Sequence, residues 1–308
     1  MILVVGATGR LGQRVVPRLT ARGLPVRVLT RDVRRAAGLD GVEVVAGDLR
    51  RPETRPAALD GVRTVVAAAQ GFGGMDAAGV RAVDLAGNMR LIDAAAAAGV
   101  ERFVLVSIHG ARPDHALGLF RAKAKAEAYL RASGLAWTVV RPTAYAETWL
   151  ELIGRPLVES GRTRVFGDGR NPIDFVAVDD VAAVIETAVG DPGLTGATIE
   201  VAGPSPMTLM GLVALVRDVT GVDGTITHVP RPMLRLAAWA LRPIRPVLAD
   251  QVATALAMDT QPTVAPDGAR RRPDPALPVT PIRDVVAAWI MGVSAVRRGP
   301  LGGSLPTG

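Results

Sequence analysis

Gly6, Gly9 and Gly12 recur at every third position directly after the apolar run Ile2–Val5, and they open an amphipathic stretch, Gly12–Arg22. Residues without side chains let backbone N–H groups approach an anion, and a helix start adds partial positive charge toward it. Strand, glycine loop, helix and a second strand at Val26–Thr30 follow the spacing of a βαβ unit. Gly6, Thr8, Gly9, Arg10, Leu11 and Gly12 are therefore expected to cradle a dinucleotide pyrophosphate; the alternative is a tight strand–helix turn with no ligand. The end of the second strand reads the adenine ribose, where a carboxylate favours a free 2′-hydroxyl and an arginine a 2′-phosphate. Arg31 stands there, with Arg10 and Arg35 able to join it, so NADP(H) is favoured. NAD(H) stays open through Asp32, if the strand ends one residue later.

These residues need a scaffold. Ile2–Val5, Val26–Thr30, Val42–Ala46, Thr64–Ala68, Phe103–Ser107 and Trp137–Arg141 are short and mostly β-branched, as strands covered on both faces are. Helical spacing at Gly12–Arg22, Asp84–Ala98 and Phe120–Ser133 separates them. The expected fold class is α/β, a Rossmann-like doubly wound parallel sheet with a smaller C-terminal substrate-covering region. The strand-like pieces Ile173–Val178 and Thr198–Val201 read as standing apart from the sheet, and Pro281–Met291 as a final helix. Met233–Met258 reads as a pair of helices packed on the domain, with a membrane-surface contact as the alternative.

At this point the sequence resembles an atypical short-chain dehydrogenase/reductase of the NmrA-like, NAD(P)-binding branch. GATGRLG at Gly6–Gly12, GDL at Gly47–Leu49, the segment ending VERFVLVS at Ser107, KAKAE at Lys123–Glu127, SGLAWTVVRPT at Ser133–Thr143 and FVAVDDVA at Phe175–Ala182 carry the likeness. The resemblance implies that Asp48 and Leu49 flank the adenine, that Ala67, Ala68 and Ala69 line the cofactor, and that Pro142 and Thr143 lie beside the nicotinamide. Residues 1–295 then form one NAD(P)-binding domain, with its core at 1–144 and a mainly substrate-covering part at 145–295, followed by a disordered tail at 296–308.

The chain departs from typical members at the catalytic tyrosine, because Leu119 occupies the position four residues before Lys123. Lys123 keeps the ribose-binding role that the resemblance implies, without a phenol to tune. Either Ser107 or Ile108 takes the place of the assisting serine. Tyr145 and His109 are the remaining candidates for a proton source, whereas Tyr129, His115 and His228 read as packed or loop residues. Asp179 and Asp180 open a helix and read as its cap.

Composition narrows the rest. No cysteine is present and only three histidines, so thiolate and histidine-rich metal sites are excluded and no metal is expected. The charge of +7 is carried almost wholly by scattered arginines, with only Lys123 and Lys125 as lysines and 4% aromatic residues, which points away from specific nucleic-acid binding. Arg270–Arg272 reads as a solvated loop within the extended stretch Asp267–Pro278. No apolar stretch is long and uninterrupted enough for a transmembrane segment, and the start shows no secretory leader, so a cytoplasmic protein is expected. The expected partner is a small organic substrate, a carbonyl, quinone or enone reduced with NADPH; the alternative is a non-catalytic redox sensor that passes its state to a protein partner.

Overall fold

A computed structural model describes residues 1–51, 55–71, 79–261, 263–265, 274 and 276–297. Arg270–Arg272, most of Asp267–Pro278 and residues 298–308 of the expected tail lie outside them. The chain begins with β1 (Ile2–Val5), α1 (Gly12–Ala21), β2 (Val26–Thr30), β3 (Val42–Ala46), α2 (Arg55–Leu59) and β4 (Thr64–Ala67). A π-helical stretch, Val80–Gly87, runs straight into α3 (Asn88–Ala97), followed by β5 (Arg102–Val106), α4 (Gly118–Arg131) and β6 (Ala136–Pro142). Short β7 (Ala144–Tyr145) and α5 (Ala146–Trp149), a π-helical turn at Leu150–Gly154, α6 (Arg155–Ser160), β8 (Arg162–Phe166) and β9 (Ile173–Val176) lead to α7 (Val178–Gly190) and β10 (Ala197–Val201). The last part holds β11 (Pro206–Met207), α8 (Leu209–Thr220), β12 (Thr225–Val229), α9 (Arg231–Leu241), α10 (Pro246–Thr260) and α11 (Ile282–Arg297).

Seven strands form one parallel sheet in the order β10-β6-β5-β4-β1-β2-β3. The expected doubly wound architecture is thus present, and the order reverses between β1 and β4, where such sheets open a crevice at their carboxyl ends. Val and Ile from β1, β2, β5 and β6 pack against α1 and α7 on one face, and Leu3, Phe103, Leu105 and Val139 against α2, α3 and α4 on the other. The runs are continuously apolar because helices cover both faces.

Two readings are corrected. Thr198–Val201 does not stand apart: it belongs to β10, which pairs with β6 in register Glu200↔Arg141 and forms the sheet edge, and α7 covers the sheet beside α1. The parallel crossover from β6 to β10 is long enough to hold most of a second cluster, centred on Trp149, Ile153, Leu157, Phe175, Leu212 and Val286, so the edge strand is hidden from a local reading. His228 is not a loop residue but part of β12, its Nδ1 lying 2.9 Å from the Gly167 carbonyl. The final helix starts as expected and runs on to Arg297.

Candidate functional site

At the switch point β1 and β4 are joined by close backbone approach. Gly6 takes φ +89°, and a Cβ there would lie 2.6 Å from the Ala69 nitrogen and 2.7 Å from the Ala68 carbonyl carbon. The glycine loop and the end of β4 therefore touch without side chains, stitched further by the Ala68 N–H to the Val5 carbonyl at 2.9 Å. Gly12 is equally constrained, because its Cβ would meet the Gly6 carbonyl oxygen at 2.3 Å. Helical bonding begins with the Gln13 N–H donating to the Gly9 carbonyl at 3.0 Å, so the amides of Arg10, Leu11 and Gly12 precede the ladder as helix-start donors with no backbone acceptor among the described residues. Thr8 is half-buried, Gly9 and Arg10 are exposed, and Leu11 anchors the loop in the core.

Beyond β2 the charges divide. Asp32 accepts from the Arg34 backbone N–H and from its guanidinium through both oxygens, and these bonds hold its carboxyl below the usual range. The carboxylate that would serve a free ribose is thus occupied locally. Asp48 is likewise held low by Arg50, and Leu49 is buried against Gly87 of the π-helical stretch. Arg10, Arg31 and Arg35 are exposed and form no ion pair among the described residues.

The residues expected to do chemistry at the ends of β5 and β6 are held in a buried network. Lys123 Nζ donates to the Val106 carbonyl at 3.0 Å and lies 2.9 Å from Asp84 Oδ1, with both side chains buried. Asp84 Oδ2 accepts the Gly71 N–H at 2.9 Å, which ties the lysine to the segment after β4. The Ser107 hydroxyl donates to Glu127 Oε1 at 2.5 Å. Glu127 also receives Arg141 through Nε at 2.9 Å and Nη2 at 2.7 Å, and Arg131 at 2.9 Å. Burial pushes this carboxyl up, but the bonds from Arg141, Ser107 and Arg131 outweigh it and hold Glu127 below the ordinary carboxylate range. Arg141 reaches Glu200 Oε1 at 3.1 Å, and Glu200 Oε2 lies 2.7 Å from His109 Nδ1. His109 is fixed again by its N–H to the Pro142 carbonyl, and Thr143 by its N–H to the Val201 carbonyl. Ser107 and His109 are therefore joined through Glu127, Arg141 and Glu200, whereas Lys123 pairs separately with Asp84, and Leu119 is buried on the same helix.

Tyr145 lies elsewhere, packed against the face that holds α1 and α7. Its hydroxyl has no hydrogen-bond partner among the described residues, and burial followed by the nearby Glu147 raises its pKa. Glu147 receives the Val178 N–H at 3.0 and 3.2 Å and so caps α7 from a distant element. Burial nevertheless raises Glu147, with the backbone N–H bonds and the charge of Arg10 opposing it. This overturns the reading of Asp179 and Asp180 as the cap: Asp179 pairs with Arg14 at 3.7 Å, and buried Asp180 holds Thr280 through its N–H at 2.8 Å and hydroxyl at 2.5 Å. Tyr129 is spent on Asp93 at 2.6 Å, and His115 stacks on Phe120. Asp84, Glu127, Arg141, Glu200 and Glu147 escaped the sequence reading. Only Glu127 left a signal there, as the residue one helical turn beyond Lys123.

Residues 6–192 match a family model described as NAD(P)H-binding. The chain belongs to that family, which bears out the expected kinship and cofactor class. It is 34% identical over 224 residues to an NAD(P)H azoreductase of Xenophilus azovorans, covering 72% of this chain and 74% of that protein. It is 32% identical over 247 residues to the chloroplastic High Chlorophyll Fluorescence Phenotype 244 protein of Arabidopsis thaliana, covering 78% of this chain but 61% of that one. In fold it is similar to an NADPH-dependent quinone oxidoreductase from Escherichia coli complexed with NADPH (TM-score 0.74, 23% identity, 94% of this chain and 100% of that one). It is also similar to the Citrobacter sp. triphenylmethane reductase complexed with NADP(H) (TM-score 0.76, 21% identity, 94% and 99%). Among the described residues no helix is long and apolar enough to cross a membrane, and no group of three or more His, Asp or Glu side chains could hold a metal ion.

Proposed function

We propose that the protein is an NADP(H)-dependent reductase of a small organic acceptor, a carbonyl, quinone or enone. The observation that carries the reading is the side-chain-free contact of Gly6 and Gly12 at the switch point, with unpaired Arg10, Arg31 and Arg35 around it and Asp32 occupied by Arg34. Arg31, with Arg10 or Arg35, would hold the 2′-phosphate, the loop amides the pyrophosphate, and Ala67–Ala69, Pro142 and Thr143 the edge beside the nicotinamide. When bound, the cofactor supplies hydride; the chain's own part is orientation and a proton. Tyr145 suits that role better than Ser107 or Lys123, because its hydroxyl has no hydrogen-bond partner among the described residues, whereas the Ser107 hydroxyl is engaged with Glu127 and the Lys123 ammonium with Asp84. His109, oriented by Glu200, is the second candidate. The test is NADPH oxidation at ~340 nm, the reduced-nicotinamide band, with a quinone, an enone and an azo dye as acceptors. Turnover with NADPH but little with NADH supports the reading, and no turnover with any acceptor overturns it.

The engagement of Ser107 and Lys123, together with Leu119, favours one other reading, a nucleotide sensor without turnover. A sensor would bind NADP⁺ and NADPH with different affinity while reducing nothing.

A further inference from the structure

The helical hairpin of α9 and α10 presents an apolar face outward. Met233, Leu236, Trp239 and Ile244 are 60%, 62%, 74% and 77% exposed, and Leu248 is partly exposed, whereas Leu234 is the buried side chain of α9. At ~100° per residue, Trp239, Pro232, Leu236, Ala240 and Met233 follow one another around about a third of the α9 surface with no charge between them. Scattered exposed apolar residues are ordinary; a continuous outward stripe is a contact surface. Arg235 and Arg242 border the stripe on the Trp239 side, and Arg245 follows at the turn; their guanidinium groups form no ion pair among the described residues. The acids of the hairpin offset them only in part: Asp259 is buried and bound by Arg231 at 2.6 Å, and Asp250, which lines the same groove as Arg235 and Arg242, stands alone against three arginines. The hairpin is also firmly seated, with Asp259 accepting the Gly169 N–H and Asn171 donating to the Met258 carbonyl.

We propose that this face docks on an anionic membrane surface, with α9 lying in the plane of the interface. The shape and the charge choose the occupant. The stripe is the outward side of a single helix, which suits a fluid surface that closes around it. The 11 residues of α9 span only ~16 Å against ~30 Å of hydrocarbon, so the helix rests on the bilayer rather than crossing it. An indole amid unpaired arginines is the composition that sits at headgroup depth, with apolar side chains below and guanidinium groups reaching anionic lipid.

The experiment is co-sedimentation of the full chain with vesicles of phosphatidylcholine alone and of phosphatidylcholine and phosphatidylglycerol in equal parts. Three basic groups near an anionic surface predict affinity roughly 100-fold higher for the mixed vesicles, falling as salt is raised. The double variant Arg235→Glu with Arg242→Glu should bring the mixed vesicles down to the level of the neutral ones. Leu236→Asp with Trp239→Asp should abolish binding to both, with NADPH affinity and circular dichroism unchanged as the check that the fold persists. Equal partitioning to the two vesicle types, or none to either, overturns the proposal. So does a dimeric mass in solution that Leu236→Asp with Trp239→Asp returns to monomer while lipid is ignored, since that assigns the face to a second copy of the chain.

Discussion

Two stretches of the same sheet edge treat their charges in opposite ways. Around β1 and β2, Arg10, Arg31 and Arg35 stand exposed and without an ion pair among the described residues, beside a loop whose Arg10, Leu11 and Gly12 amides precede the helical ladder. Around β5, β6 and β10, Lys123 is closed on Asp84 and Arg141 on Glu127 and Glu200, several of them inside the protein. Residue type alone marks both stretches as functional. Partners separate them: free donors remain available to an anionic ligand, whereas donors already matched to buried carboxylates hold the edge strands together. Removing a group should therefore cost stability on one side and ligand affinity on the other.

The largest effect is expected at Glu127. Glu127→Gln leaves Arg141 and Arg131 short of their shared counter-charge and the Ser107 hydroxyl without its carboxylate. Breaking a buried ion pair from one side costs about 3 kcal/mol or more, read as a lower midpoint in urea unfolding. Arg31→Ala, measured in the same way, should stay within ~0.5 kcal/mol of the parent, because Arg31 is exposed and unpaired. Equal losses in the two variants would erase the contrast.

On the open side the next effect is steric. Gly12→Ala drives a methyl group into the Gly6 carbonyl and Ala7, so the loop must shift, and NADPH affinity should fall at least ~10-fold by calorimetry, the size of one lost charge-assisted hydrogen bond. Gly38→Ala, where a Cβ meets nothing within 4 Å, is the neutral comparison. Arg31→Ala then sharpens the electrostatic part. Losing one guanidinium contact to a 2′-phosphate should weaken NADPH by roughly 10- to 100-fold and leave NADH nearly unchanged. A parallel loss for both cofactors would move Arg31 away from the phosphate.

What could be read beforehand follows the same division. Strands β1, β2, β4, β5 and β6 and the glycine loop were legible because burial and a tight strand–helix turn are local demands on residue type, and the half-exposed edge strand β3 because its residues are mostly β-branched. The edge strand β10 was not, since its partner β6 lies across a long crossover. The network failed for a related reason. Lys123 and Glu127 share a helix face, but Asp84, Arg141 and Glu200 reach them only through sheet order and register. Asp179 and Asp180 looked like a cap because acids at a helix start commonly are one; Glu147, brought up by α5, already accepts the Val178 N–H. Leu119 was legible as a missing phenol, yet the sequence could not tell that Ser107 and Lys123 had become tied inward.

The smallest expected effect compares two buried carboxylates of opposite sign. Glu127 is held below its ordinary value of 4.5 by guanidinium groups that outweigh burial, so its contribution is present above that pH and lost as pH falls through the lower folded value. Glu147 is raised above 4.5 because burial outweighs the Val178 N–H and Arg10, so the folded state binds the proton more tightly than the unfolded chain. Its contribution declines as pH rises from 4.5 through the folded value and is constant above it. Glu147→Gln keeps an amide oxygen for the Val178 N–H and removes the buried charge. Urea midpoints for this variant should therefore gain slightly on the parent as pH is raised from 4.5 toward neutrality, whereas those of Glu127→Gln should fall behind the parent at lower pH, as it rises through the depressed folded value of Glu127 to 4.5, and keep a constant gap above. Two curves that bend the same way would mean that burial, not pairing, sets both carboxylates.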